Sequence, residues 1–195
     1  DNAALAHARI KAAQNFVHAG EDVLQQLDHG IATARSLGRR GQRMLVEGLM
    51  NRAAVRSWSS MSAQFETDIR EAYELARIAL GPGDPLTLQV ACSLAWPSPI
   101  EVDRLKIISE AYQAGRANPM VGEAHPALLR AQVLYGYHLA RSGQPDAALT
   151  MVRSAIATAG RHHGEGRPTE EVLTAAQLAF HGARQLDASF EAARE

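Results

Sequence analysis

HPALLRAQVLYGYHLARSGQPDAALTMVRSAIATAGRHHG, residues 125–164, is the stretch against which the rest of the chain aligns. Pro126 stands where a first helical turn tolerates a missing N–H. Leu128, Leu134, Tyr135 and Leu139 follow at helical apolar spacing until Ser142-Gly143 breaks the run. Pro145 and Asp146 open a second helix, in which Ala148, Val152, Ala155 and Ala159 fall at i, i+4, i+7 and i+11, a stripe along one face. Small residues occupy the places where two antiparallel helices must come close: Gly136 on the first, Ala148 and Ala155 on the second. The spacing predicts a packed helix hairpin over 126–142 and 145–160.

Working outward, the same features return. Phe65, Ile69, Ala72 and Ala76 repeat the i, i+4, i+7, i+11 stripe, and GIATA at 30–34 echoes AIATA at 155–159. Glu110-Ala111-Tyr112 repeats Glu71-Ala72-Tyr73, and GPGDP at 81–85 matches GEAHP at 122–126. Linker glycines at 38, 81, 122 and 164 are spaced by 43, 41 and 42 residues. Small residues of the second helices, at 30, 72, 111 and 155, are spaced by 42, 39 and 44. Two interleaved series with one period predict helix pairs at about 1–38, 42–81, 85–122, 126–164 and 168–195. The first helix of the second pair, with Met44, Leu45, Val46, Leu49, Met50, Ala53, Ala54 and Val55, is apolar nearly all round and is expected to be covered on both sides. The first helix of the third pair should stop by Trp96, ahead of Pro97 and Pro99.

Gly136, Gly143, Ala148 and Ala155, seven, five and seven residues apart, resemble the small-residue frame of the tetratricopeptide repeat. The longer unit is most similar to the variety found in kinesin light chains and many bacterial regulators. Gln132 stands at the consensus tryptophan, Tyr135 at its leucine, Leu139 at its tyrosine, and Val152 replaces the second-helix aromatic. The resemblance implies an all-α, right-handed superhelical solenoid of about five antiparallel helix pairs, each burying its apolar face on its neighbours. It further implies an interaction or sensing scaffold in a larger bacterial-type protein, a transcriptional regulator or a repeat-bearing kinase. Its concave groove would take a segment of a protein or peptide partner. The alternative is a receptor whose superhelix changes curvature when a peptide or small molecule binds.

Composition narrows the classes. A net charge of −1 supplies no global basic field for nucleic acid, so direct nucleic-acid binding is not expected. Aromatics at 5% and abundant alanine suit close-packed helices. Cys92 is the only cysteine, which forbids an internal disulfide and fits a reducing, cytoplasmic setting. No apolar run approaches the ~20 residues that span a bilayer. The chain opens at Asp1 without a methionine and reads as a fragment of a larger protein or a processed chain; a truncated last helix would leave apolar surface for self-association.

No phosphate loop, HExxH or CxxC occurs, so neither enzyme chemistry nor a cofactor or metal is expected. His7 and His18 share a helix face but would lie ~16 Å apart along it, too far for one ion. Cys92, between Val90 and Leu94, reads as a packed thiol. By analogy with the repeat family, in which first helices line the concave face, the expected groove residues of the fourth pair are Arg130, Val133, Tyr137 and Arg141. Those of the first pair are His7, Ile10, Gln14 and His18, joined by Arg52 and Arg56 of the second. Arginine forks beside a tyrosine predict an acidic partner segment carrying an apolar anchor.

Overall fold

Asp84 and His125 do the same work at two helix starts. The Asp84 carboxylate accepts the backbone N–H of Leu86 at 2.8 Å, and His125 Nδ1 accepts that of Ala127 at 3.2 Å. In each case a proline follows at the first helical position, so GPGDP and GEAHP are one structural device used twice. The computed structural model describes residues 3, 4, 7, 8, 10, 21–58, 62–96 and 103–163. Among these every regular element is helical and no strand occurs: α1 (Glu21–Ser36), a 3-10 turn (Gly38–Gly41), α2 (Gln42–Trp58), α3 (Ser62–Ala79), α4 (Pro85–Ala95), α5 (Arg104–Ala117), α6 (Pro126–Arg141) and α7 (Pro145–His163). The expected fifth helix pair lies outside the described residues. The chain divides into two compact units, Asp1–Pro82 and Gly83–Glu195.

In the first unit α2 packs on both α1 and α3, as expected of a helix covered on two sides, but Ala54 of its apolar set is exposed and Met44, Leu45 and Met50 are half-buried. Val46, Leu49, Ala53 and Val55 are buried while Arg52 and Arg56 on the same helix are half-buried. Gly48 permits a close approach: a β-carbon there would lie 2.8 Å from Ile31 and 3.2 Å from Ile10. The stripe on α3 is buried at Ile69, Ala72 and Ala76.

In the second unit α4 packs on α5 and on α6, and α6 packs in turn on α5 and α7. The first helices of the two pairs are therefore direct neighbours. Helix α4 stops at Ala95, and Trp96 turns extended at ψ 142°. That is the conformation expected of a residue before proline. Helix α6 ends in a Schellman motif: Gln144 N–H donates to Leu139 O at 3.0 Å and Gly143 N–H to Ala140 O at 3.1 Å. Gly143 has φ +81°, a conformation that glycine adopts without penalty, and the three-residue connection turns the chain back into α7. Leu129, Val133 and Tyr137 of α6 then close on Val152, Ala155 and Ala159 of α7. A β-carbon on Gly136 would meet Val152 Cγ2 at 2.9 Å and the Ala148 carbonyl at 3.1 Å, which is why the small-residue frame is needed. No helix among the described residues is long and apolar enough to cross a membrane.

Candidate functional site

Helix α6 is the hub of the second unit. With α4, α5 and α7 all against it, only Arg130 and Tyr135 between Ala127 and Ala140 escape full burial. Arg130 lies over the indole of half-buried Trp96, its Cζ 5.8 Å from the ring centroid. Arg141, exposed at the end of the helix, lies 5.9 Å from the Tyr137 ring centroid and donates from Nη1 to the Tyr137 hydroxyl at 3.3 Å. Neither guanidinium is paired with a carboxylate among the described residues. Each guanidinium lies near an aromatic ring, a favourable contact that leaves N–H groups for an incoming acid.

Three apolar or aromatic residues expected in the groove sit in the core instead; Ile10 of the first unit is 0% exposed, packed with Val23, Leu27 and Val55. Val133 is 0% and Tyr137 7% exposed, both inside the core between α6 and α7. A stripe at i, i+3, i+7 and i+11 reaches solvent along its whole length only on a helix with a free face, and α6 has neighbours on three sides. The aromatic surface beside Arg130 is Trp96.

In the first unit Arg52 and Arg56 converge on one carboxylate. Asp68 is 1% exposed and accepts from Arg52 Nε at 3.0 Å, Arg52 Nη2 at 2.7 Å and Arg56 Nη1 at 2.6 Å. Arg52 also reaches Asp28, and these bonds hold its pKa above the ordinary value although burial opposes them. The two arginines thus tie α2 to α3 and, through Asp28, to α1, in place of offering free forks to a partner. His7 is exposed, while Gln14 and His18 lie outside the described residues.

Three features carry chemistry that the sequence did not suggest. His138 is buried with Nε2 2.8 Å from the carbonyl of Ala95, the last residue of α4. Burial lowers its pKa, the Ala95 carbonyl opposes that, and the charges of Arg104 and Arg141 add to the lowering. A cleft of about 390 Å³ lies on the other side of α6, walled by Tyr112 and Arg116 of α5, Leu128 and Gln132 of α6, and Met151 and Thr158 of α7. The third is a recurrent pair: Arg77 over Tyr73 at 5.5 Å and Arg116 over Tyr112 at 5.9 Å. The shared EAY segments, each with arginine four residues past tyrosine, are the signal that could have found it. No three His, Cys, Asp or Glu side chains cluster as a metal site among the described residues.

No family model, curated protein or solved structure matches the chain.

Proposed function

We propose that the chain is a tetratricopeptide-like interaction module of a larger bacterial-type regulator, working in the cytoplasm and holding a segment of a protein partner. One observation carries this. Four second helices bury the same register of one large aliphatic residue followed by two small ones: Leu27, Gly30, Ala34; Ile69, Ala72, Ala76; Ile108, Ala111, Gly115; Val152, Ala155, Ala159. A large residue with small ones three and seven positions later is what repeated helix pairs need to stack at close range. In such a solenoid the first helices form the concave face, and the direct packing of α4 on α6 fits that arrangement.

Arg130 over Trp96, with Arg141 eleven residues on, gives the face its chemistry. Two forks without carboxylate partners among the described residues suit acidic side chains, and the half-buried indole suits an apolar one. The occupant is an acidic segment carrying a single aliphatic or aromatic anchor.

The test is a peptide array in which acidic content and anchor position vary independently. The expected result is retention of peptides combining several Asp or Glu with one apolar anchor, weakening as salt is added. Equal retention of basic or uncharged peptides would contradict the proposal.

A further inference from the structure

The cleft between α5 and α7 belongs to none of the groove just described. Its α6 wall, Leu128 and Gln132, points about 160–220° around the helix from Arg130 and Arg141 at ~100° per residue. At about 390 Å³ it has the size of a small-molecule site, which typically spans ~300–1,000 Å³.

Its polar groups are arranged alike on two walls. On α5, Arg116 lies over the Tyr112 ring, its Cζ 5.9 Å from the centroid. On α7, Arg161 Nη2 donates to the Thr158 hydroxyl at 3.0 Å. Each wall thus sets an arginine beside a buried hydroxyl-bearing residue three or four positions earlier, and a hydroxyl has a proton to donate. Burial raises the Tyr112 pKa against the opposing pull of Arg116, which keeps that phenol a neutral donor. Neither Arg116 nor Arg161 meets a carboxylate among the described residues, and Glu123 is the one acid lining the cleft beside them. Met151 and Leu128 supply an apolar wall.

We propose that this cleft binds a small organic anion, its carboxylate or phosphate group taken by Arg116 and Arg161 and its apolar body lying against Met151 and Leu128. Such a molecule would bridge consecutive helix pairs, since its anionic end engages α5 and α7 together. Two arginines offer several charge-assisted donors, the strongest class of hydrogen bond available to the site.

The test titrates the 195-residue chain with phenyl phosphate, benzoate, inorganic phosphate and benzyl alcohol, following the backbone amide signals of Ser154 and Thr158 by NMR. Saturable binding of phenyl phosphate or benzoate is expected, the tighter of the two identifying the anionic group. R116Q and R161Q should each weaken it by about tenfold or more, while R141Q and R153Q leave it unchanged. Should a variant lose helix content, salt dependence of the wild-type affinity replaces it, and affinity must fall as salt rises. The assignment is overturned by no saturable shift with either organic anion, by benzyl alcohol binding as tightly as they do, by inorganic phosphate alone binding, or by R161Q matching the wild type. Because Arg141 serves the other face, R141Q keeps this outcome separate from that of the peptide proposal.

Discussion

The imidazole of His138 supplies the hydrogen bond that helix α4 lacks: its Nε2 stands 2.8 Å from the Ala95 carbonyl, 43 residues earlier in the chain. Pro97 ends α4 early, and the last carbonyls of a helix need partners from elsewhere. Here a side chain of the next first helix provides one, so the bond also fixes α4 against α6.

The bond makes stability depend on acid. The folded pKa of His138 lies below the ordinary 6.5, mainly through burial, so the unfolded chain takes up the proton first. The neutral imidazole's contribution is complete above the unfolded pKa and is lost as pH falls from there toward the folded value. Urea unfolding at neutral and mildly acid pH should show a larger fall in midpoint for wild type than for His138→Gln. At neutral pH His138→Ala should cost ~1–3 kcal/mol, because it leaves a buried carbonyl unpaired. Equal acid sensitivity in wild type and His138→Gln would contradict this account.

Small residues at the hairpin contact should be intolerant of bulk. Ala155 is fully buried between α6 and α7, so Ala155→Leu should cost ~1–3 kcal/mol through overpacking. Ala124→Leu, in the linker, should stay within ~0.5 kcal/mol. Tyr137→Ala, which empties part of the same core, belongs with the destabilising changes. Thermal unfolding of the three variants checks the ranking; equal effects of Ala155→Leu and Ala124→Leu would misplace the packing face.

Asp68 should be the costliest acid to remove from the first unit. Asp68→Ala leaves Arg52 and Arg56 without their shared carboxylate, and breaking a buried pair costs ~3–5 kcal/mol. The exposed pair Arg70–Glu66 is the comparison, and Glu66→Ala should cost no more than ~1 kcal/mol. Denaturant midpoints for the two variants should therefore differ widely, and similar midpoints would argue against the network.

Cys92 is fully buried among α4 residues and should be inert in the folded protein. Its reaction with a thiol reagent should follow the opening of the fold, accelerating with urea. Rapid modification of the native chain would contradict that packing.

What could be read from the sequence was set by local rules. Gly136, Ala148 and Ala155 were legible because close helix contact excludes side chains, and the stop at Trp96 because Pro97 constrains the residue before it. Helix α7 runs to His163 instead of stopping near 160, since no proline or positive-φ glycine interrupts it before then. The site was harder to read. Arg130 and Arg141 sit at the edge of α6, but Val133 and Tyr137 fall in the core because a third neighbour covers the middle of the stripe. The Arg52–Asp68 network joins facing helices 16 residues apart in sequence, and a carboxylate one position before the core residue Ile69 was its only signal. His138 had none, because its acceptor is placed by the packing of α4 on α6.

The central claim is that the Arg130–Arg141 face receives an acidic partner segment, and calorimetric titration with the best acidic, singly anchored peptide from the array tests it most directly. Arg153, exposed on α7, is the matched control. Arg130→Ala and Arg141→Ala should each weaken binding by about tenfold or more, with melting temperatures close to wild type, while Arg153→Ala changes affinity by less than about twofold. If Arg153→Ala weakens binding as much as Arg141→Ala, the face has been misassigned and the claim fails.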